Sequence, residues 1–254
     1  MEVKISAVIL TLNEEKNIER CITSVLGVVD DVVVVDSFST DRTEEICHAM
    51  GVRFVKHKFE GYIEQKNWAL TQSLYPVVLS LDADEALSDQ LRRAILEVKH
   101  DWSADSYVFN RLTSYCGTWI HHCGWYPDSK LRLWEVEKGV WGGTNPHDKV
   151  MMVEGASTRW LKGDLMHYSY TSIRQHISQI NHFTTIKAKA KFQKGEKGTL
   201  ALILFSPIVK MIKQYILKKG FLDGYYGFII SVISSFGQFL TYVKLREMNQ
   251  GKEV

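Results

Sequence analysis

The stretch KISAVILTLNEEKNIERCITSVLG, residues 4–27, contains the pattern that decides the fold of the N-terminal half. It begins with a run of apolar and β-branched residues that is too short for a typical helix and is typical of a buried strand. From Ile18 to Leu26 apolar residues recur at helical spacing, and Gly27 is expected to end that helix. The sequence therefore predicts a strand followed directly by a helix.

The same alternation continues as far as residue 83. We predict three further strands, at DVVVVDS (31–37), VRFVKH (52–57) and PVVLSLDA (76–83). Two helices are predicted between them, STDRTEEICHAMG (39–51), with Ser39 or Thr40 as its N-cap, and GYIEQKNWALTQSL (61–74). Strands that alternate with helices through short connections indicate a parallel, doubly wound α/β sheet, in which ligands bind outside the carboxyl ends of the strands.

Composition and charge indicate a globular protein with two differently charged parts. Of the 254 residues, 45% are hydrophobic and 24% are charged, and the four cysteines are too few for a disulfide scaffold, so a reducing, cytoplasmic location is expected. The N-terminus turns acidic after one short apolar run, unlike a signal peptide. Residues 174–254 contain thirteen Lys and Arg against four Asp and Glu; since the whole chain carries +2, residues 1–173 carry −7.

Polar residues follow three of the predicted strands at the points where the strands end. They are Thr11, Asn13 and Glu14 after the first strand, Asp36, Ser37 and Asp41 after the second, and Asp82 and Asp84 after the fourth. Each of them alone is explained equally well as a helix cap or a solvated turn. Because these ends meet at one edge of a parallel sheet, the set indicates a ligand site.

The segment LSLDADE, residues 79–85, places three carboxylates together at the end of a buried strand. Three neighbouring anions repel one another unless a positive charge lies among them. Carboxylates spaced as Asp-x-Asp suit Mg²⁺ or Mn²⁺, which also bridge to phosphate oxygens. The chain has no glycine-rich dinucleotide turn after its first strand and no P-loop, so we expect a metal that carries a nucleotide diphosphate.

Four motifs together resemble family 2 glycosyltransferases, inverting enzymes of the GT-A fold. They are VILTLNEEKNIERCITSV, VVVVDSFSTDRTEEI, EQKNWAL and LSLDADE, in the family's order and spacing. Looser motifs further on, YPDSKLRLW, NPHDKV, LMHYSYTS and KKGFLDGYYGF, resemble the bacterial subgroup that adds sugars to lipopolysaccharide core or related envelope glycans. The resemblance implies a Rossmann-like nucleotide-diphospho-sugar transferase domain.

The resemblance also implies the residues of a nucleoside pocket. Thr11, Asn13 and Glu14 would line it, and Asp36 would accept a hydrogen bond from the base, most often uracil. A buried carboxylate that accepts an imide N–H is chemically sensible.

The phosphates and the metal would be held by residues further along the chain. Lys66 and Asn67 would reach the nucleotide or its phosphates, Asp82 would contact the ribose or the metal, and Asp84 would be the main metal ligand. His167 would complete the metal site, since a neutral imidazole is an acceptable Mn²⁺ ligand; the alternative is a hydrogen-bonded core histidine.

Inverting transfer also needs a carboxylate that takes the proton of the acceptor hydroxyl. Our candidate is Asp148, which follows His147 in GGTNPHDKV, where the resembling subgroup has a His-Glu pair; an N-cap or ion-pair role is the alternative. Asp128 is the reserve candidate. Arg132 and His147 are candidate contacts to donor or acceptor, and a packing or salt-bridge role for Arg132 is an equal alternative.

Two aromatic and histidine-rich features accompany these candidates. The residues Trp119, Trp125, Tyr126, Trp134 and Trp141 would form a platform for acceptor sugar rings, with ordinary core packing as the alternative. The neighbouring segment CGTWIHHC, residues 116–123, has its metal-binding residue types too close together for a structural zinc site.

The tail from residue 171 to 254 is predicted to be helical and membrane-associating. A long helix is expected from Thr171, with an apolar face of Ile173, Ile177, Ile180, Phe183 and Ile186. Residues 224–243 contain no charge, and an interfacial or re-entrant helix, a membrane span and an oligomer-forming helix are the alternatives. The basic, apolar composition favours an anionic membrane surface over nucleic acid.

We therefore predict a GT-A catalytic domain at residues 1–170 and a membrane-associating tail at 171–254, with residues 1–100 binding the nucleotide and 101–170 the acceptor. The enzyme would move a sugar from a UDP-sugar to a lipid-linked glycan, using Mn²⁺ or Mg²⁺, at the cytoplasmic side of the bacterial inner membrane, as a peripheral or monotopic protein. The alternatives are transfer to polyprenyl phosphate, a non-catalytic nucleotide-sugar-binding protein, and nucleotidyl transfer, for which the first turn has the wrong composition.

Overall fold

The computed structural model describes residues 2–144 and 147–253, apart from the side chains of Thr144 and His147. The chain forms two compact units. The first contains residues 1–111 and 128–168, and the second contains residues 112–127 and 169–254. The domain boundary at residue 170 stays a prediction, because residues 112–127 belong to the same unit as the tail.

The strands and helices alternate at first and then separate into a strand-rich and a helical part. The strands are β1 Ile5–Thr11, β2 Asp31–Asp36, β3 Arg53–Lys56, β4 Val77–Asp82, β5 Glu85–Leu87, β6 Ser106–Tyr115, β7 Thr118–Trp119, β8 Ser129–Glu135, β9 Gly139–Thr144, β10 His147–Met152 and β11 Thr158–Tyr170. The helices are α1 Ile18–Val25, α2 Thr43–Ala49, α3 Tyr62–Leu70, α4 Asp89–His100, α5 Ile173–Gln193, α6 Leu200–Met211 and α7 Gly224–Asn249.

The main sheet has the order β3-β2-β1-β4-β8-β6-β11-β5. Strands β3, β2, β1 and β4 are parallel neighbours, which confirms the predicted α/β class. Strands β8 and β6, which the alternation did not predict, add antiparallel pairings beside β4. The register places Thr11 opposite Asp36 and Leu10 opposite Asp82, so the carboxyl ends of β2, β1 and β4 lie level.

The central strands contain continuous apolar runs because both faces of the sheet are covered. In β2, Val32 and Val34 belong to one buried cluster, while Val33 and Val35 belong to the other. Parallel strands covered on both faces are expected to show such continuous apolar runs. The first cluster also contains the buried face of α1. This helix ends before Gly27, whose backbone has a positive φ of 76°.

Helix α2 begins later than predicted, and Ser39 and Thr40 do not cap it. Its first residue is Thr43, whose backbone N–H donates to Asp41. Ser39 instead donates to the carboxylate of Asp36 through both its backbone N–H and its hydroxyl. The local preference of serine for helix caps is outweighed here by the turn that follows β2.

In the second unit, most buried residues of α7 are small, although Ile230 and Leu245 are also fully buried, and several large apolar residues are exposed. The buried positions include Gly227, Ser231, Ser235, Gly237 and Thr241, and the three hydroxyls donate to carbonyls four residues earlier. The exposed positions include Phe228, Val232 and Phe236. This is the reverse of an ordinary soluble amphipathic helix.

The predicted apolar face of α5 is partly buried, since Ile173, Ile180, Phe183 and Ile186 have intermediate exposure. The buried residues of α5 are His176, Thr184 and Ala188, and Ile177 is 50% exposed. Helices α5 and α7 lie against each other: a Cβ at Gly237 would approach Ile180 Cγ2 to 3.0 Å, and Lys244 Nζ donates to the carbonyl of Asn181 at 2.8 Å.

Two segments of the second unit are long and apolar enough to cross a membrane by length and composition, Leu200–Leu217 and Gly220–Asn249. The first segment is 11% buried and the second is 33% buried. The segment Ile212–Leu217 is π-helical and directly continues α6.

The KKGFLDGYYGF and CGTWIHHC motifs are joined within the second unit. Asp223 accepts hydrogen bonds from the backbone N–H groups of His121 and His122 and lies 2.9 Å from His122 Nδ1. Gly227 is required by packing, since a Cβ there would lie 1.9 Å from the carbonyl oxygen of Gly220. These residues therefore have structural roles.

Candidate active site

The turn after β1 and the turn after β2 form one hydrogen-bonded network. The backbone N–H of Asn13, which has a positive φ of 55°, donates to Ser39 Oγ at 2.8 Å. The Asn13 side-chain oxygen accepts from Thr40 N at 2.8 Å, and Asp36, fully buried, accepts from Ser39. The structure thus brings the predicted nucleoside residues Asn13 and Asp36 to one edge of the sheet.

Thr11 and Glu14 lie at the same edge. Thr11 is 5% exposed, and its hydroxyl is buried with no hydrogen-bond partner in the described part of the chain. Glu14 accepts a hydrogen bond from Asn17 at 2.7 Å. Burial, with the nearby negative charge of Asp84, raises the pKa of Glu14.

Asp82, at the end of β4, is held between two cations. Lys66 Nζ lies 3.5 Å from Asp82 Oδ1, and Arg132 Nη2 lies 3.0 Å from Asp82 Oδ2. Burial alone would raise the pKa of Asp82, but the charges of Lys66 and Arg132 hold it well below the usual range. Asp82 is therefore ionised at every pH at which the protein would work.

Glu85 is a buried counter-ion that the sequence did not identify. Its side chain is 0% exposed, and Oε1 lies 3.1 Å from Arg132 Nη2 and 3.4 Å from Arg111 Nη1. Its other oxygen accepts from the backbone N–H of Asp82 at 3.0 Å. Among the described residues, the repulsion within LSLDADE is thus offset by Arg132, Arg111 and Lys66. The signal in the sequence was the position of Glu85 in a buried strand, which requires a partner cation.

Asp84 and His167 form a separate pair with the donors of a metal site. Strands β5 and β11 pair so that His167 lies opposite Glu85, and His167 Nε2 lies 3.2 Å from Asp84 Oδ2. Within residues 2–144 and 147–253 no group of three His, Cys, Asp or Glu side chains could hold a metal ion. Magnesium is commonly bound by one or two carboxylates together with substrate phosphates, so Asp84 and His167 fit a divalent cation that arrives with a nucleotide.

Asp148, the predicted base, lies on the β9–β10 hairpin opposite Gly143. Its side chain is 13% exposed and accepts from Lys66 Nζ at 2.7 Å. Lys66 therefore connects Asp148 with Asp82. The reserve candidate Asp128 is held by Arg111 and Lys130, each at 2.9 Å. The side chain of His147 lies outside the described residues.

Asn67 contacts β9 instead of the strand-end network. Its amide donates to the carbonyl of Trp141 and accepts from the backbone N–H of Trp141, both at 2.9 Å. This pair of bonds fixes β9, which carries Trp141, against α3. The predicted contact between Asn67 and the nucleotide stays a prediction.

A cavity of about 590 Å³ collects the charged residues next to Asp148. Its lining includes Lys66, Asp82, Arg132, Trp141 and Asp148. Lys66 and Arg132 lie against the Trp141 ring, with 4.3 Å and 5.1 Å from the cationic group to the ring centroid. Five predicted features thus meet at one cavity in the first unit.

The five predicted platform aromatics do not share one location. Trp134 and Trp141 belong to the first unit, whereas Trp119, Trp125 and Tyr126 belong to the second. Trp134 is fully buried, and its indole N–H donates to the carbonyl of Gly139 at 3.0 Å, so its ring is core. Trp125 packs among Tyr115, Tyr170 and His176.

Comparison with known proteins identifies the family. The family model "Glycosyl transferase family 2" matches residues 6–159, the part of the chain that contains β1 to β10. The chain belongs to glycosyl transferase family 2. It is a nucleotide-sugar transferase with the GT-A fold and an apolar helical C-terminal extension.

Relatives of this glycosyltransferase extend over nearly the whole chain. An uncharacterized glycosyltransferase of Rickettsia typhi is 31% identical over 97% of this chain and 88% of the relative. The lipopolysaccharide core biosynthesis glycosyltransferase LpsC of Rhizobium meliloti is 28% identical over 95% of this chain and 91% of the relative. Among solved structures, glucosyl-3-phosphoglycerate synthase from Mycobacterium tuberculosis is 26% identical over 44% of this chain and 43% of that chain, with a TM-score of 0.37.

Proposed function

We propose that this glycosyltransferase is an inverting, metal-dependent enzyme that moves a sugar from a UDP-sugar to a lipid-linked glycan such as lipopolysaccharide core. The observation that carries the proposal is the cavity in which Asp148, Lys66, Asp82 and Arg132 meet. Asp84, two residues after Asp82 in the chain, is paired with His167. A base, a cationic group for phosphates and a metal site are the three parts that inverting transfer needs.

The nucleoside would bind at the edge formed by the turns after β1 and β2. Asp36 is positioned there by Ser39 and is fully buried, which suits it to accept the imide N–H of uracil. The hydroxyl of Thr11 is buried without a partner among the described residues and would gain one from the nucleoside. Asn13 and Glu14 would close the same pocket.

The diphosphate would lie between the nucleoside pocket and the cavity. Asp84 and His167 would hold a Mn²⁺ or Mg²⁺ ion, whose positive charge stabilises the departing diphosphate when it is bound. Asp82 would contact the ribose or the metal, and Lys66 would reach the phosphates. Lys66 is already shared between Asp82 and Asp148, so it can turn toward a diphosphate with little change in position.

Asp148 would act as the base. As the acceptor oxygen forms its bond to C1 of the sugar, the bond from C1 to the diphosphate oxygen breaks, UDP leaves with the electron pair, and the proton passes to Asp148. Lys66 and the partly buried position keep this carboxylate oriented into the cavity. Asp128 is less suitable, because Arg111 and Lys130 hold its oxygens.

A lipid-linked acceptor is supported by the second unit and by the similarity to LpsC. Exposed apolar side chains cover α6, among them Leu204, Phe205 and Val209 at 62%, 64% and 62% exposure. Small residues between helices with large apolar residues facing outward are typical of helices in contact with lipid. We place catalysis within residues 1–170 and membrane contact within 171–254, at the cytoplasmic side of a bacterial inner membrane.

Of the alternatives for residues 224–243, we propose an interfacial, monotopic arrangement. Helix α7 packs along α5, which carries the exposed residues Lys187 and Lys189. A span through α7 would draw these lysines into hydrocarbon, at a cost of several kcal/mol. Lying in the interface, α6 and α7 would keep their lysines among anionic headgroups.

The test is release of UDP from a panel of UDP-sugars by the detergent-solubilised full chain, with Mn²⁺ and with EDTA. We expect metal-dependent hydrolysis of one donor, and a decrease of about 10²–10³-fold in Asp84→Ala, because a group that stabilises the leaving diphosphate is lost. The matched control is Asp101→Ala, which removes an exposed carboxylate at the C-terminal end of α4, outside the candidate site, and should leave the rate unchanged. Absence of both UDP binding and turnover would contradict the proposal.

A further inference from the structure

Two residues that line the cavity beside Asp148 carry three buried N–H donors that have no acceptor among the described residues. Arg132 and Trp141 are each 4% exposed, and both line the cavity. Arg132 Nε and Nη1 and Trp141 Nε1 have no hydrogen-bond partner among residues 2–144 and 147–253. A buried donor left without an acceptor costs about 1–3 kcal/mol, so such groups call for an explanation.

Trp134 shows that this part of the fold is able to satisfy a buried indole. Its ring packs edge-on against that of Trp141 at 5.9 Å, and its N–H donates to the carbonyl of Gly139 at 3.0 Å. Trp141 is also buried and lies on β9 only two residues after Gly139, yet its indole N–H has no such acceptor in the described part of the chain. The unpaired donors are therefore a local feature of the cavity.

The charges around these donors favour an anion. Five side chains that line the cavity are cationic, namely Lys66, Arg111, Lys130, Arg132 and Lys149, and two are anionic, Asp82 and Asp148. Glu85 and Asp128 also pair with these cations, which leaves five positive charges against four negative ones. A neutral sugar hydroxyl both donates and accepts, whereas all three unpaired groups are donors only. A group with several acceptor oxygens and a negative charge satisfies them together.

The position of the cavity assigns this anion to the acceptor. The Asp84–His167 pair, where the metal and the diphosphate of the donor would be held, is not part of the lining, whereas Asp148 is. Lys66 and Asp82 also line the cavity and are the residues that it would share with the donor. A base must contact the acceptor hydroxyl that it deprotonates. A group bound near Asp148 and away from Asp84 therefore belongs to the acceptor substrate.

We propose that the cavity is an oxyanion subsite, in which Arg132 and Trp141 donate hydrogen bonds to a phosphate or carboxylate group on the acceptor glycan. The inference rests on the proposed function, because it takes Asp148 as the base. It adds the chemical class of the acceptor: a glycan that carries an acidic group close to the hydroxyl that is glycosylated. Lys149, exposed at the rim, adds charge to this subsite.

The experiment measures binding of small anions to the full-length protein in detergent by calorimetry, with UDP and Mn²⁺ present at saturation so that the donor site is filled. The probes are glucose 6-phosphate, glucuronate, inorganic phosphate and, as the neutral control, glucose. We expect at least one of the acidic probes to bind at least about tenfold more tightly than glucose, which corresponds to ~1.4 kcal/mol. Comparison of glucose 6-phosphate with glucuronate distinguishes a phosphate from a carboxylate.

The matched pair of variants is Trp141→Phe and Trp134→Phe. Trp141→Phe removes an unpaired N–H, so the unliganded protein should keep or raise its Tm while the acidic probe binds about fivefold more weakly. Trp134→Phe removes a paired N–H, so its Tm should fall while binding is unchanged. Lys149→Gln, at an exposed position, should weaken binding by about threefold without affecting Tm.

Equal affinity for glucose and both acidic sugars would overturn the subsite, as would unchanged binding in Trp141→Phe. Binding of the anions only when UDP is absent would also overturn it, because the cavity would then hold the donor diphosphate. Failure of the proposed function is visible separately, as loss of UDP binding and of UDP-sugar hydrolysis in the unmodified protein.

Discussion

Two regions of the molecule depart from the ordinary arrangement of a soluble protein in opposite ways. They are the edge of the sheet in the first unit and the helices α6 and α7 in the second. At the sheet edge charged groups are buried: Glu85 is 1% exposed and Arg132 is 4% exposed. On α6 large apolar groups are exposed, with Leu204 at 62% and Phe205 at 64%. Charged residues are rarely buried unless paired, and contiguous apolar surfaces usually mark a binding site.

The two regions expose and bury opposite kinds of side chain for different physical reasons. Burial of Glu85 and Arg132 is tolerated because they pair with each other, and the half-buried Asp82 also pairs with Arg132. The exposed apolar side chains of α6 and α7 form no hydrogen bonds with water. On the buried face of α7, the hydroxyls of Ser231 and Ser235 already donate hydrogen bonds to carbonyls of the same helix. The first region is arranged for a charged ligand, and the exposed apolar surface of the second is the one that we propose contacts lipid.

The largest effect should come from Asp148→Asn. Removing the base while keeping the size of the side chain should lower kcat for transfer to a glycan acceptor by about 10²–10⁴-fold. Binding of UDP should be retained, because Lys66 keeps Asp82 as a partner. Initial rates of transfer give kcat, and calorimetry gives the affinity for UDP.

The control for this variant is Asp128→Asn. Asp128 is bonded to Arg111 and Lys130 at the surface, so its loss should lower the rate by no more than about fivefold. Equal loss in both variants would mean that the carboxylates act through the charge of the cavity, and Asp148 would then not be the base. Transfer that persists in Asp148→Asn would favour polyprenyl phosphate, whose oxygen is already anionic.

The sequence predicted the parts of this site that follow from topology. Strands that alternate with helices place their carboxyl ends together, which is why Asp36, Asp82 and Asp84 converge as expected. No such rule links Glu85 with Arg111, because β6 and β8 join the sheet by antiparallel pairings that the alternation did not predict. The pairing of Lys66 with Asp148 likewise joins residues 82 positions apart.

Sequence patterns were least informative where burial and polarity are reversed. Apolar periodicity grouped the isoleucines of α5 on one face, but it did not identify the most buried residues, because the rule assumes that water covers the outer face. In the second unit the most buried residues of α5 are His176, Thr184 and Ala188, and those of α7 are glycines, serines and Thr241 together with Ile230 and Leu245. The predicted cap at Ser39 failed for a different reason, since Asp36 competes locally for its hydroxyl.

The paired charges of the first unit can be broken at Glu85. Glu85→Gln leaves Arg132 and Arg111 without their shared counter-ion in a buried setting. We expect the free energy of unfolding to fall by about 3–5 kcal/mol, the usual cost of removing one partner from a buried pair. Urea unfolding measures the change. The exposed pair of Arg42 and Glu45 provides the control, since Glu45→Gln should have no measurable effect.

The interior of the second unit should be sensitive to acid through His176. Its Nδ1 lies 2.9 Å from the Tyr115 hydroxyl, and burial lowers the pKa of His176 to about 4. Between pH 6.5 and 4 the unfolded chain binds a proton at this residue and the folded chain does not. Stability is therefore present above pH 6.5 and is lost as the pH falls, by up to about 3 kcal/mol.

Urea unfolding at pH 7.5, 5.5 and 4.5 tests this dependence. His176→Gln should lower stability at pH 7.5 but flatten its decrease with acid, because no group with a depressed pKa then remains at that position. His182→Gln, at an exposed position of the same helix, should leave the pH dependence as it is. An unchanged slope in His176→Gln would show that another group causes the acid sensitivity.

The smallest expected effect tests the exposed apolar surface. Phe205→Glu should weaken binding to vesicles that contain anionic lipid by about tenfold, since a fully buried apolar side chain contributes about 1.5–3 kcal/mol and only part of this one enters the lipid. Leu74→Glu in the first unit is the control. Leu74 is 62% exposed, close to the 64% of Phe205, and its substitution should not affect binding.

If a second copy of the chain covered α6 instead, Phe205→Glu would dissociate an oligomer in sedimentation and leave vesicle binding intact. Equal weakening by both substitutions would mean that the added negative charge alone repels the vesicles. Phe205 and Leu74 have similar exposure, so only an apolar contact between α6 and lipid would make the two substitutions differ.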